Sequence, residues 1–522
     1  MKLYTEKFDK LAVAVIAFSF ILRIYLSLIS VPLNGVETIH PNIIRYMAET
    51  KTIPLIAPLP PTADLFHYTP LFHIIASLLY LIFIHVSYTA AEFSIKMLSP
   101  IFALFSMILI YLISIKLFSS KKIGFYAVLF FAFLPLSISM SSYMTLDNEF
   151  AFLILLSFYF LITNHFLLSA LSLGLSYNVK AIALFYFPFF AYSVYVKYKS
   201  SNYVRKMLLY FVLTLLLVAP WMIRNAIMLD NPVYPLLNNF FNGCKYEILD
   251  DTFNKGGNTY NFFSKNFLAK FFFGIFGFPE ENKDIKFTYY GISQDSVRSL
   301  IKLDSLLAVI LLNLWALAIV IFSIPIILGL YYLFKNKEKF SIYFIVIIVS
   351  GIIIHMLYIY LAADTATRYF SPVIPFLAIL WAYGLVMTIQ KSFFQASFVK
   401  ISGKMFIIAM LLGFMATEAY KTQLLAFGVH KYDSLFLWIN TYIPDDAYIY
   451  EVSGIITYYT NNYYTDSVEK LKETKGYIII QDPKQIYGPP LYIPSKIPDE
   501  IEYYKELYHD TKSGVKIYKV SE

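Results

Sequence analysis

Nine polar side chains stand near the ends of long apolar runs, and their types suit acid–base chemistry beside a phosphate. Glu37 and His40 occur in LNGVETIH, Asp64 and His67 in ADLFHYTP, Asp147 and Glu149 in LDNEF, Lys180 in SYNVK, Arg224 in WMIRN and Arg368 in TRYFSP. A charge at the centre of a membrane span costs about 2.5–3.5 kcal/mol, so charges gathered at span ends invite a functional reading. Asp147-Asn148-Glu149 places two carboxylates two residues apart at an expected helix start, where free N–H groups and the helix dipole favour negative charge. A plain N-cap with an acidic neighbour explains the pair equally well, and Glu37, after a turn, serves equally as a solvated loop acid. Lys180 sits at a joint between two short apolar helices, as a snorkelling side chain or a ligand contact. Arg224 and Arg368 lie just beyond spans, where guanidinium binds headgroup or substrate phosphate by the same chemistry. Arg23 lies inside the first apolar run and is expected to pair with a neighbouring helix rather than to catalyse.

Other chemistries lack their residues. His40, His67 and His73 show no metal-ligand spacing such as HExxH, and no Walker loop, Rossmann glycine fingerprint, GxSxG elbow or CxxC occurs. The single cysteine, Cys244, excludes an internal disulfide framework and a zinc cluster of cysteines. A hard cation, Mg or Mn, on Asp147 and Glu149 stays open, although two carboxylates are few ligands for one.

The elements that must position these groups are membrane helices. Of 522 residues, 58% are hydrophobic and 15% charged, and the mean hydropathy is +0.62. Stretches of about 20 residues with almost no charge match a hydrocarbon core roughly 30 Å thick, and helices alone satisfy their own backbone there. The net charge of +8 comes with no basic-aromatic nucleic-acid module, so nucleic acid is not an expected partner; basic residues beside spans orient a membrane protein. The apolar run from Leu11 to Val31 lacks a small-residue cleavage site and reads as an uncleaved first span.

Twelve apolar segments are present, near 11–31, 70–85, 97–117, 122–141, 148–163, 166–178, 181–196, 207–222, 305–334, 340–361, 369–389 and 404–424. If all crossed, Lys121, Lys122 and the cluster Lys197, Lys199, Arg205 and Lys206 would face outward, against the positive-inside rule. Residues 70–85, short, proline-led and carrying His73, therefore read as a helix lying along the outer leaflet. About eleven transmembrane helices remain. SSKK, KYKSSNYVRK, FKNKEK and QKSFFQASFVKISGK then fall inside with the N-terminus. Outer loops 32–96 and 223–304 follow, the second with an interfacial helix in NFLAKFFFGIFGF. Residues 1–424 form the membrane domain. In 425–522, AYIYEV and YIIIQD read as strands, SVEKLKET as a helix between them and TKSG as a late hairpin turn, giving a small extracytoplasmic α/β domain. The fold class is mostly α, polytopic, with this appended sheet.

In order and spacing, NGVETIH, YTPLFH, LDNEF, GLSYNVK, PWMIRN with NPVYP, and RYFSPVIPFLAILWAYG resemble the membrane-embedded glycosyltransferases of the GT-C superfamily. The likeness is strongest to the protein O-mannosyltransferase and aminoarabinose transferase branch, and covers roughly residues 1–425. In that family the first-loop acidic pair reads Asp-Glu; here Val36 holds the first place and Glu37 alone remains. The resemblance implies a polyprenyl- or dolichyl-phosphate sugar donor, with a hexose such as mannose, and a protein, glycolipid or lipid-linked glycan hydroxyl as acceptor. It implies Glu37 as the base, and Asp147 with Glu149 as the motif orienting acceptor or metal. Arg368, with Lys180, Arg224 and His67, would hold the lipid phosphate, His40 and Asp64 would lie in the acceptor loop, and displacement would invert the anomeric carbon. The oligosaccharyltransferases of the superfamily carry a WWDYG-type pattern in the outer domain, where this chain has only Trp438 in LWINTY, so transfer of a whole glycan to asparagine is disfavoured. The rival reading is a non-enzymatic lipid or polysaccharide transporter or flippase, for which broken helices and polar groups at mid-membrane depth would be the sign.

Overall fold

The structure is a computed structural model and describes residues 9–30, 35–54, 69–199, 202–234, 241, 306–336, 341–362, 370–391, 405–416, 419, 432–444, 447–450, 463–465, 468–481, 497–498, 501, 503–510 and 515–520. The chain forms helices α1 (Lys10–Ile29), α2 (Gly35–Thr50), α3 (Leu71–Ile84), α4 (Tyr88–Lys96), α5 (Leu98–Phe118), α6 (Lys121–Phe133), α7 (Pro135–Ser142), α8 (Asp147–Ile162) and α9 (Phe166–Val179), of which α2 and α4 stand in the expected outer loop 32–96 and the others in the apolar runs. A 3-10 segment (Ala181–Tyr186) leads into α10 (Phe187–Tyr198), followed by α11 (Tyr203–Leu229), α12 (Leu306–Lys335), α13 (Ser341–Ala362), α14 (Ile374–Lys391) and α15 (Met405–Ala416). Serines start several of them: Ser87 Oγ accepts from Ala90 N at 3.0 Å and Ser120 Oγ from Ile123 N at 3.3 Å, filling N–H groups a helix start leaves open.

Among the described residues, Lys10–Ile29, Tyr88–Phe118, Ala181–Tyr198, Tyr203–Leu229 and Leu317–Lys335 are long and apolar enough to cross a bilayer, and the pair α6–α7 makes a sixth if its two halves form one span. Helices α8 and α9, both counted among the eleven expected crossings, have 16 and 14 residues. At about 1.5 Å per residue they reach roughly 24 and 21 Å, less than the thickness of the hydrocarbon core. Helix α3 also has 14 residues. The expected continuous span 122–141 is instead two helices bent by 57° at Leu134-Pro135, because proline has no N–H for the preceding turn and pushes its predecessor out of helical geometry.

The membrane bundle is centred on α14, whose residues from Phe376 to Ala382 are all buried between neighbouring helices. Its approach to α12 needs glycine. A Cβ on Gly384 would lie 1.9 Å from Pro325 O, and one on Gly329 would lie 2.4 Å from Leu380 O. Backbones this close allow the dispersion contacts that hold membrane helices together without a hydrophobic driving force. Trp381 then donates its indole N–H to Phe322 O at 2.7 Å.

The C-terminal residues build helices α16 (Asp433–Tyr442) and α17 (Val468–Thr474) and strands β1 (Tyr448–Tyr450), β2 (Tyr463–Thr465), β3 (Tyr477–Gln481), β4 (Tyr504–Asp510) and β5 (Val515–Val520). The sheet order is β2-β1-β3-β5-β4, parallel across β2, β1 and β3 and antiparallel across β3, β5 and β4. Strand alternation sends Ile449, Ile479 and Ile517 to pack with Leu435, Phe436 and Ile439 of α16, and Ile478 and Tyr518 to the other face with Leu471 of α17. Burial, reinforced by the Glu506 carboxylate, pushes the Tyr518 phenol up to about 12, so it stays protonated and donates to Glu506 Oε2 at 3.0 Å. The strands and helix read from AYIYEV, SVEKLKET and YIIIQD form there. β2 and α16 carry no clear periodic signal, the first because it is three residues long and the second because its apolar face is mixed with aromatics. The interfacial helix expected in NFLAKFFFGIFGF lies outside the described residues.

Candidate active site

The first turn of α8 collects the most chemistry. Asp147, Asn148 and Glu149 are each about 2% exposed. The residue at the N-cap is Leu146, with no side-chain cap, so the N-cap reading of Asp147 fails. Its carboxylate instead turns to Lys180, with Oδ1 and Nζ 2.5 Å apart and side-chain exposures of 2% and 13%. Lys180 is delivered by the end of α9, where the backbone turns extended before the 3-10 segment. That end is fastened to α11 by Asn178, whose amide donates to Leu217 O at 2.8 Å and Gly174 O at 3.1 Å. A Cβ on Gly174 would come within 2.8 Å of Leu217 Cβ, so the glycine is what lets α9 sit close enough for this bond. Lys180 therefore faces an acid of its own chain rather than snorkelling into headgroups.

Glu149 has a buried Oε2 with no hydrogen-bond partner among the described residues. An unpaired carboxylate oxygen in a dry site is costly unless it accepts a bond from something that binds there. Between the two acids, Asn148 donates to Ser99 O at 3.3 Å and to Ser141 Oγ at 3.1 Å. Ser99 also accepts from Thr145 N at 3.4 Å and donates to Thr145 O at 3.1 Å. The chain just before α8 is thus clamped to the start of α5.

Arg224 lies within α11, which runs on to Leu229, and not beyond a span as expected. Its guanidinium donates to Pro54 O at 3.2 Å and Asn225 Oδ1 at 2.8 Å and covers Trp221 with 4.4 Å to the ring centroid. His40, from α2, is buried, and its Nδ1 meets Nε2 of His73 on α3 at 3.1 Å. Glu37 is helical, in the first turn of α2 rather than on a loop; its side chain, and Asp64, His67 and Arg368 entirely, lie outside the described residues. The described structure therefore joins Asp147 to Lys180, with Glu149 buried in the same helical turn, and joins His40 to His73.

No group of three or more His, Cys, Asp or Glu side chains is placed to hold a metal among the described residues. Asp147, already facing an ammonium, fits a divalent cation poorly, and Glu149 alone is too few donors. The sequence reading missed Ser99, Ser141 and Asn148 as support for the acids. Their one signal is polarity inside apolar surroundings, most of all the serine-rich PLSISMSS of α7.

No family model and no curated protein matches the chain. Among solved structures, the aminoarabinose transferase ArnT from Cupriavidus metallidurans bound to undecaprenyl phosphate is similar with a TM-score of 0.60 at 11% identity, covering 97% of this chain and 97% of that one. Its apo state gives 0.55 at 12% identity, over 90% and 93%. The apo oligosaccharyltransferase from Archaeoglobus fulgidus gives 0.53 at 12% identity, over 98% of this chain and 74% of that one. This chain shares its fold with ArnT and with the archaeal oligosaccharyltransferase.

Proposed function

We propose that the protein is a glycosyltransferase that moves a single sugar from a polyprenyl-phosphate carrier to an acceptor hydroxyl at the outer face of the membrane. The observation that carries this reading is the buried acidic turn, where one carboxylate is ion-paired to Lys180 and the next has an open oxygen. ArnT, whose fold the chain shares over 97% of its length, is bound to undecaprenyl phosphate, which supports a lipid-phosphate donor. In the reaction the bond between the anomeric carbon and the phosphate oxygen breaks as the acceptor oxygen bonds to that carbon. The acceptor proton passes to a carboxylate, and the polyprenyl phosphate leaves with its charge held by cations. Glu37 is the proposed base, Asp147 and Glu149 orient the acceptor, and Lys180, Arg224, Arg368 and His67 receive the phosphate. A hexose such as mannose is the proposed sugar. Eleven crossings with a cytoplasmic N-terminus, and a C-terminal sheet belonging to an extracytoplasmic domain over 425–522, complete the proposal.

One observation favours the rival transporter reading, namely the broken pair α6–α7. Against it, the guanidinium at that break, Arg23, has every nitrogen hydrogen-bonded within the protein, leaving no donor for a passing headgroup. The test is transfer of radiolabelled sugar from a polyprenyl-phosphate donor in membranes. Glu37→Gln is expected to lower turnover by about 100-fold or more, the usual scale for losing an acid–base group, and Asp147→Asn by about 100-fold, the scale of a misplaced reactant. Wild-type rates in both variants would reject the site, and no donor consumption by the wild type would reject the enzyme.

A further inference from the structure

The break between α6 and α7 and the acidic start of α8 are parts of one hydrogen-bonded chain. Pro135 cannot donate to Phe131 O, and the bend leaves the last carbonyls of α6 facing the bundle interior. Arg23, 0% exposed on α1, supplies the missing donors. Its Nη2 donates to Phe131 O at 3.3 Å, Ala132 O at 3.1 Å and Ser137 Oγ at 3.0 Å; its Nε donates to Ser19 Oγ at 3.1 Å; its Nη1 reaches Ser137 O and Ser141 Oγ. Ser141 is where the chain continues. Its hydroxyl donates to Ser137 O at 2.8 Å and accepts from both Arg23 and Asn148. A planar guanidinium with five N–H groups can cap a broken helix and still direct one bond onward, which a lysine ammonium cannot do.

We propose that Arg23 is a positioning residue: through Ser141 it holds Asn148, and so fixes where the flanking carboxylates of Asp147 and Glu149 stand. The role rests on the glycosyltransferase reading for its chemistry, but its geometry does not. Arg23 touches no reacting atom. It fills the break between α6 and α7 and makes the orientation of that bend and the orientation of the acids one quantity.

Ser141→Ala tests this, because it cuts the link to Asn148 while Arg23 keeps Ser19, Ser137 and the α6 carbonyls. Purified in detergent, the variant should unfold within a few degrees of wild type. Turnover per folded molecule in the radiolabelled transfer assay should fall about 10- to 100-fold at unchanged KM for donor, the scale of a misplaced catalytic group. Amide hydrogen exchange should quicken at Asn148 to Phe150 and not elsewhere. Asn148→Ala, which also cuts the bond to Ser99 O, should lose at least as much, and the double variant should be no worse than Asn148→Ala alone, since Ser141 acts through Asn148. Additive losses, unchanged turnover, or unchanged exchange at Asn148 to Phe150 each overturn the proposal. If the wild type transfers no sugar the functional reading fails separately, and the exchange measurement alone then decides whether the tether exists.

Discussion

Two cations of this protein, Arg23 and Lys180, stand at helix breaks, yet they are used in opposite ways. Arg23 fills the Leu134-Pro135 break with neutral partners on every nitrogen and no exposure. Lys180, where α9 gives way to a 3-10 segment, holds a carboxylate and keeps 13% of its side chain exposed. The difference lies in what the charge is asked to satisfy. Backbone carbonyls orphaned by a proline are fixed and need several donors at once, which suits a guanidinium; a single carboxylate is served by a point charge that can also move. One break is therefore closed off, and the other leaves its cation partly exposed.

The comparison breaks most sharply at Arg23. Arg23→Leu strips six hydrogen bonds and strands buried carbonyls, each costing about 1–3 kcal/mol, so a total loss of about 5 kcal/mol is expected in detergent unfolding, together with poor yield. Lys180→Met comes next. It leaves Asp147 buried without its ion partner, at a cost of about 3–5 kcal/mol, and adding Asp147→Asn should recover part of the loss; no recovery would mean that Lys180 contributes by packing alone. Smaller is Arg45→Ala. Arg45 binds Glu92 Oε1 through Nε at 3.1 Å and Nη2 at 2.9 Å with both side chains partly exposed, so about 1 kcal/mol is expected. Smallest is Lys516→Ala. Its 3.5 Å pair with Glu506 is open to solvent on both sides, and the unfolding free energy should change by less than about 0.5 kcal/mol.

Much of the architecture was legible because apolar length, Pro and Gly act locally. The runs became helices α1, α3 and α5 to α15, whereas α2 and α4 stand in the stretch 32–96 expected as an outer loop, and AYIYEV, SVEKLKET and YIIIQD became β1, α17 and β3. The bend at Pro135 was missed because the run 122–141 is apolar on both sides of the proline, and hydropathy alone does not register a lost N–H. LDNEF and SYNVK were each singled out, but not as a pair. Asp147 and Lys180 are 33 positions apart, and only the return of α9 alongside α8 closes that distance. Asn148, between two acids, drew no notice because an amide carries no charge for a membrane pattern to penalise, although its side chain ties α8 to α5 and α7.

Arg23 shows both sides of this division. A charge in the middle of an apolar run must find partners, so the order of residues alone requires that Arg23 be paired inside the bundle, that the chain be largely helical, and that acids and bases collect at helix ends. Which partners those are was decided by the tertiary structure. The free carbonyls of α6 exist only once Pro135 bends the chain, and a guanidinium reaches them only when α1 packs across that bend. The same holds for the acidic turn: burial and the ion pair with Lys180 arise from helices distant in sequence, since hydrogen bonds act over about 3 Å and only folding brings such groups within range.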